Sequence, residues 1–126
     1  MMLANYPVYT MLRAADVGRA RQFYTETLDL SVAYDMGSVF GVAAGNGTII
    51  SVYQRDGSRA PENNAAVWQV DDIDSVARDL IGRGVIPERY EMPDVEFDDL
   101  GIATLGGARA LWFTDSEDNI LMVTQM

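Results

Sequence analysis

Asp71-Asp72-Ile73 opens an amphipathic segment, and the similar stretch Ala15-Asp16-Val17 opens another one 56 positions earlier, since residue 72 matches residue 16. Later, Ser51-Val52-Tyr53-Gln54 reappears as Met122-Val123-Thr124-Gln125, 71 positions further on. These offsets predict that one structural unit occurs twice. Because the offset grows from 56 to 71, the second copy carries 15 additional residues.

The first copy has the pattern of a β-α-β-β-β unit. Residues 8 to 13 alternate as a strand does, and Asp16 is placed to cap a helix whose apolar residues share one face until about Leu28. Three further strands are expected at about 31 to 35, 38 to 43 and 48 to 54, because Met36-Gly37 and Gly45-Asn46-Gly47 between them are turn signals. A connector at about 55 to 64 follows.

The second copy repeats this order. A strand is expected at 65 to 70, then a helix capped by Asp72 and stopped by Gly82 and Gly84. Candidate strands follow at 85 to 90, 102 to 105, 110 to 114 and 120 to 125, and the 15 additional residues fall within about 87 to 101. We therefore predict an α+β protein with a single domain over residues 1 to 126, made of repeats at about 6–54 and 64–125.

Composition excludes several function classes. The chain has 126 residues, 48% of them hydrophobic, which suits one compact domain. It contains no histidine and no cysteine, and its nine basic residues are all arginine, so Schiff-base lysine chemistry and thiolate nucleophiles are excluded. A net charge of −10 argues against binding to nucleic acids or anionic membranes. The absence of cysteine and of an apolar leader leads us to expect a cytoplasmic protein.

The order and spacing of the motifs resemble a known superfamily. The matching segments are Asp16 to Leu30, Val70 to Val85 and Trp112-Phe113-Thr114-Asp115-Ser116-Glu117-Asp118-Asn119. Together they resemble the vicinal oxygen chelate superfamily, which contains glyoxalase I, extradiol dioxygenases, fosfomycin-resistance enzymes and bleomycin-resistance proteins. The resemblance implies two tandem β-α-β-β-β modules that form a curled, cup-shaped mixed sheet. Two glycines usual in the family, in Leu-Gly-Leu and Asp-Pro-Asp-Gly-Asn, are replaced here by Asp29 and Asp118.

The resemblance also fixes where a metal would be held. In metal-dependent members, histidine or glutamate ligands lie on the first and last strand of each copy. Carried over by spacing, these positions are Tyr9, Ser51, Ala65 and Met122. Hard divalent ions prefer several carboxylate or carbonyl oxygens, and softer ions prefer imidazole or thiolate. The resemblance therefore implies the fold without its metal, and we predict no metal and no cofactor.

Strand alternation selects the residues that face into the cup. Candidate ligand-binding residues are Tyr9, Met11, Arg13, Ser51, Tyr53, Val67, Gln69, Trp112 and Met122. The opposite parity places Trp68 in the core, so we expect Trp112 to offer a stacking surface and Trp68 to stabilise the fold. The set suits a mostly apolar small-molecule site. The same side chains could instead simply fill the cup, and Arg13 could form a salt bridge.

The additional segment is strongly acidic. Between Pro87 and Asp99 it carries six carboxylates and one arginine, interleaved with Tyr90, Met92 and Phe97. We expect the carboxylates to face water while the apolar side chains turn inward. The segment would then be either a lid that favours a cationic ligand or a solvated loop.

These features favour a metal-free small-molecule binding protein of the glyoxalase/bleomycin-resistance type, without catalytic residues. Its expected ligand is partly aromatic, of cationic or neutral charge, such as an antibiotic natural product. One alternative is a metal-independent isomerase, cyclase or lyase that uses tyrosine, arginine or carboxylate side chains. Another is a regulatory module without a ligand. The resemblance further implies a homodimer.

Overall fold

The computed structural model describes residues 2–126, which form two compact units that divide after residue 60. Each unit is a β-α-β-β-β module with its own four-stranded mixed sheet, so the α+β class and the internal duplication are confirmed. The division falls within the connector expected at 55 to 64. That the two modules act as a single domain stays a prediction. No helix within residues 2–126 is long and apolar enough to cross a membrane.

The first module closely follows the expected element order. Its elements are β1 (Thr10–Ala14), α1 (Val17–Gln22), β2 (Val32–Asp35), β3 (Val39–Ala43) and β4 (Ile49–Gln54). A π-helical turn, Phe23–Thr27, prolongs α1 and ends at Leu28, as predicted. The sheet order is β1-β4-β3-β2, in which β1 runs parallel to β4 and the other pairs are antiparallel.

The core of the first module lies on the helix side of its sheet. Alternate strand residues and one helical stripe are buried there, namely Leu12, Ala14, Ala20, Tyr24, Phe40, Val42, Ile50 and Val52. Asp16 caps α1 by accepting a hydrogen bond from the Arg19 amide at 3.1 Å. Because side chains alternate across a strand, α1 packs on one face of the sheet, and the other face, called the open face, carries no helix of this module.

The second module has the same topology. Its elements are β5 (Asn64–Gln69), α2 (Ile73–Gly82), β6 (Ala103–Leu105), β7 (Ala108–Thr114) and β8 (Ile120–Gln125), in the order β5-β8-β7-β6. Its helix side buries Ile73, Ala77, Leu80, Leu111, Phe113, Leu121 and Val123. The strand expected at 85 to 90 is absent, and that prediction is wrong. Pro87 has no amide hydrogen to donate to a ladder, and only an isolated bridge joins Glu88 to Trp112.

One hydrogen bond explains why the two modules share a glutamine at the end of their last strand. Gln54 accepts from the amide of Val17 through its Oε1 atom at 2.8 Å, and Gln125 accepts from the amide of Ile73 in the same way, also at 2.8 Å. In both modules the glutamine therefore satisfies an amide of the first helical turn that has no partner within the helix. The repeated sequence motif encodes this link between sheet and helix.

The two positions where the superfamily usually has glycine adopt the backbone conformation that glycine favours. Asp29 has φ 57° and Asp118 has φ 66°, both in the left-handed region. Aspartate tolerates this region better than most residues, although it costs more there than glycine does. The turns are thus kept despite the substitutions.

We expect Asp118→Gly to raise the free energy of unfolding by about 0.5 to 1 kcal/mol, because relief of the left-handed strain outweighs the entropy that glycine adds to the unfolded chain. The side chain of Asp118 is exposed, so little packing is lost. Urea unfolding followed by circular dichroism measures the change. Asp118→Ala, which keeps a β-carbon, should be destabilising instead, and a glycine variant no more stable than the parent would refute this account of the turn.

Candidate functional site

The open face of the first sheet gathers five of the residues predicted to bind a ligand. Tyr9 and Met11 are 48% and 58% exposed, whereas Leu12 and Ala14 are 4% and 0% exposed on the helix side. Strand register places Met11 beside Ser51 and Arg13 beside Tyr53. The first module therefore presents a largely apolar surface with a few polar groups, the composition typical of small-molecule sites.

A pair of hydroxyl groups lies in the middle of this face. The Tyr34 hydroxyl donates to Ser51 Oγ at 2.6 Å, and Ser51 is 6% exposed. Tyr34 and Ser51 flank Gly41 on the neighbouring strands. A β-carbon at Gly41 would clash with Tyr34 Cε1, so only glycine lets the tyrosine ring lie across the strand. Gly41 is therefore the residue that makes the hydroxyl pair possible.

Arg13 is held at the edge of the same face by the connector between the modules. Its Nε donates to Ser58 Oγ at 2.8 Å, and its Nη2 donates to the carbonyl oxygen of Ser58 at 3.1 Å. These bonds fix a positive charge beside Tyr53, the register neighbour of Arg13.

The open face of the second sheet is arranged differently. Val67 on the edge strand is 53% exposed and Gln69 is exposed, while Met122 is half-buried beside Val67. Trp112 lies next to Met122 and is only 7% exposed. Its Nε1 donates to Asn64 Oδ1 at 3.1 Å, which satisfies the one polar atom of the indole.

The acidic segment covers Trp112. Tyr90 and Phe97 lie edge-on to the indole, with ring centroids 5.9 Å and 6.3 Å from that of Trp112. The six carboxylates of the segment are exposed, and its apolar side chains turn inward, as expected; the inward group is Tyr90, Met92, Val95 and Phe97. The segment is therefore packed against the sheet and is not merely a solvated loop.

The surroundings of Trp112 differ from those expected, while its role in ligand binding stays a prediction. It faces away from α2 as predicted, but Tyr90 and Phe97 occupy the space that a stacking ligand would need. Trp68 lies on the helix side as predicted, where it stacks on Phe113 at 6.2 Å with an interplanar angle of 19°, yet it is less buried than Trp112. A ligand can reach Trp112 only if the acidic segment moves.

Hydrogen bonds and charges hold the acidic segment at both ends. The Glu88 amide donates to the Trp112 carbonyl at 2.7 Å, and Arg89 Nη1 donates to the Asp98 carbonyl at 2.8 Å. Arg109 binds both Asp74 carboxylate oxygens, at 2.7 and 3.1 Å, and lies 3.6 Å from Asp98. The hydrogen bond to Arg109 lowers the pKa of Asp74, and burial followed by the charge of Glu88 raises the pKa of Tyr90.

The positions at which the resemblance would place a metal carry side chains that are poor ligands. Ser51 Oγ is bonded to Tyr34, Met122 Sδ accepts from Asn64 Nδ2 at 3.5 Å, and Ala65 offers no side-chain donor atom. Within residues 2–126, no three histidine, cysteine, aspartate or glutamate side chains are grouped as a metal site would require. Hydroxyl, phenol and thioether donors are poor ligands for divalent ions.

Solved structures show which fold the chain shares, whereas no protein-family model and no curated protein matches it. A glyoxalase family protein from Enterococcus faecalis matches with a TM-score of 0.71 at 17% identity, over 98% of this chain and 99% of that chain. A glyoxalase/bleomycin resistance protein/dioxygenase from Alicyclobacillus acidocaldarius matches with a TM-score of 0.69 at 15% identity, over 99% and 94%. The fosfomycin resistance protein FosX from Mesorhizobium loti matches with a TM-score of 0.63 at 14% identity, over 96% and 92%. The expected fold is confirmed by these matches over nearly the whole chain; at such identities the likeness concerns the fold alone.

Proposed function

We propose that this protein binds a small, partly aromatic molecule without the help of a metal, and that the open face of the first sheet is its binding surface. The observation that carries the proposal is the exposed apolar pair Tyr9 and Met11 beside the hydroxyl of buried Ser51, which accepts a hydrogen bond from half-buried Tyr34. Arg13 and Tyr53 extend the same face. The second module would add Val67, Gln69 and Met122 on its own open face, and Trp112 once the acidic segment moves.

The charge of the acidic segment supports a ligand that is cationic or neutral. Its six exposed carboxylates are part of the chain's net charge of −10. A negative protein surface raises the local concentration of cations and repels anions. Bleomycin resistance protein appears in the name of one structural neighbour and fosfomycin resistance in another. An antibiotic natural product is accordingly the ligand class that we propose.

Retention of a compound by the pure protein tests this proposal. The protein is incubated with a mixture of aromatic natural products, passed through a desalting column, and the retained compounds are identified by mass spectrometry. We expect at least one compound to be retained unchanged. Recovery of no compound, or of compounds only in chemically altered form, would count against a binding protein.

A metal-independent enzyme is the second candidate, and the hydroxyl pair is the observation that favours it. The separation of 2.6 Å between the Tyr34 and Ser51 oxygens is that of a well-formed hydrogen bond, through which a proton could pass. A product of altered mass in the retention experiment, lost in Tyr34→Phe, would support this candidate over the first.

Metal content provides a separate prediction. The side chains of Tyr9, Ser51, Ala65 and Met122 do not suit a divalent ion. The purified protein should therefore contain less than stoichiometric zinc, iron, nickel or manganese. Elemental analysis by plasma mass spectrometry measures this directly. One ion per chain, lost on Ser51→Ala but kept in Ser38→Ala, would overturn the metal-free proposal.

We also propose that the protein is a homodimer, as the resemblance to its superfamily implies. Exposed apolar side chains in the N-terminal stretch support this, since Leu3, Tyr6 and Val8 are 70%, 60% and 91% exposed. Surfaces of this kind are often buried in two-fold interfaces. Light scattering at micromolar concentration should give twice the mass of 13.9 kDa per chain, and a monomer mass would refute the proposal.

A further inference from the structure

The hydroxyl pair on the open face of the first sheet has one proton more than its own hydrogen bond uses. Tyrosine and serine hydroxyls each carry one proton and can also accept hydrogen bonds. The bond from Tyr34 to Ser51 uses one of the two protons. In the part of the chain that the structure describes, no protein group accepts the other proton. If the Ser51 hydroxyl donated to Tyr34 instead, one proton would still be without a protein acceptor, and it would be the tyrosine proton.

The place of this proton makes it a functional feature. Ser51 lies on a central strand between Met11 and Gly41 and is 6% exposed. A donor that no protein group satisfies at such a position is available to a ligand or to water, and a hydrogen bond formed there is stronger than one formed in bulk water. Two hydroxyls in series also polarise one another, which strengthens the outer donor. The pair can therefore donate one hydrogen bond to a ligand.

The charge on this face indicates which partner the donor would meet. Arg13 is the charged residue of the β1–β4 ladder on this face, and its register neighbours Tyr53 and, one strand further, Val39 are uncharged. A hydroxyl donor beside a guanidinium suits an atom with partial negative charge. The six carboxylates of the acidic segment belong to the second module, in the segment over Trp112.

We infer that the Tyr34–Ser51 pair selects ligands by donating a hydrogen bond to a carbonyl-type oxygen conjugated to an aromatic ring. The ring would lie over Met11 and Tyr9, and the oxygen would meet the pair beside Gly41. This inference rests on the proposed binding function of the same face and names the chemical class that it recognises. Tyr34 and Ser51 are specificity-determining residues in this scheme.

Two matched probes test the inference on the full chain. Para-hydroxyacetophenone carries a ring-conjugated carbonyl where para-ethylphenol carries a methylene group. Two-dimensional NMR titration gives the dissociation constant of each and shows whether the amides of Met11, Gly41 and Ser51 shift. We expect the ketone to bind about three- to tenfold more tightly, the gain of one neutral hydrogen bond. The double variant Tyr34→Phe/Ser51→Ala should bind both probes equally.

A control variant loses two hydroxyls elsewhere. Tyr6→Phe/Ser38→Ala removes a phenol and a serine hydroxyl from exposed positions away from the pair, and it should keep the preference for the ketone. If the double variant at the pair does not fold, Tyr34→Phe alone keeps the ring over Gly41 and should reduce the preference, because Ser51 loses its polarising partner.

The outcomes separate this inference from the function on which it rests. Equal binding of the two probes by the parent protein, with shifts on the open face, would overturn the carbonyl inference and leave the binding function standing. A preference for the ketone that survives in Tyr34→Phe/Ser51→Ala would also overturn the carbonyl inference and leave the binding function standing. If neither probe shifts amides of this face, both the inference and the proposed binding surface are wrong.

Discussion

Replacing Trp112 with alanine is expected to lower the free energy of unfolding by about 3 to 5 kcal/mol, the usual loss for a large aromatic side chain removed from a core. Trp112 is 7% exposed and joins Tyr90 and Phe97 of the acidic segment to the small residues Ala103 and Ala110. The substitution leaves a cavity and deprives the segment of the surface on which it packs. Urea unfolding followed by circular dichroism avoids relying on the fluorescence of the residue that is removed.

Trp68→Ala is the matched comparison. Trp68 stacks on Phe113 but is only half-buried, so its removal should cost less than the removal of Trp112. This order of stabilities is the reverse of the one expected from the sequence. A Trp112→Ala variant that loses less than about 1 kcal/mol, within the range of a surface substitution, would show that the acidic segment does not pack as described.

Replacing Asp115 with alanine should cost about 2 to 4 kcal/mol, because the substitution leaves buried amide groups without an acceptor. Asp115 is 4% exposed. Its Oδ1 accepts from the amides of Glu117 and Asn119 at 2.8 and 2.9 Å, and its Oδ2 accepts from Asn119 Nδ2 at 2.8 Å. The carboxylate thus organises the turn between β7 and β8.

The same unfolding measurement checks this value, with Glu96→Ala, an exposed acidic position, as the control for loss of one negative charge. The control should change stability by less than about 0.5 kcal/mol. Asp115→Asn keeps one acceptor oxygen, so its loss of stability should lie between those of Asp115→Ala and Glu96→Ala. A loss at Asp115→Ala no larger than at Glu96→Ala would contradict the role of this carboxylate.

The sequence predicts the modular fold well because its strongest signals are local. The capping residues Asp16 and Asp72 precede helices in the structure, and both carboxylates accept from an amide three residues ahead. The paired glutamines Gln54 and Gln125 serve the same contact in both modules. Strand alternation likewise places Leu12 inside and Met11 outside. These features depend on periodicity and on neighbours a few residues away.

The site is harder to predict because it depends on contacts between distant residues. Tyr34 was not among the candidates, although Gly41 inside a strand is a signal that a side chain approaches closely. The packing of residues 87–101 on Trp112 could not be read from the segment's composition, since six carboxylates suit a lid and a free loop equally. The strand predicted at 85 to 90 does not form because Pro87 has no amide hydrogen for a strand ladder, and Glu88 makes only an isolated bridge to Trp112.

The most direct test of the proposed binding surface compares two substitutions of exposed methionines by glutamate. Met11 lies on the open face and is 58% exposed, whereas Met36 lies in the β2–β3 turn and is 73% exposed. The measurement is the dissociation constant of para-hydroxyacetophenone for each variant. If the first sheet binds the aromatic ring over Met11, Met11→Glu should weaken binding about tenfold or more, since a buried carboxylate would have to be desolvated, while Met36→Glu leaves it unchanged. Equal affinities for the two variants would contradict the proposed surface.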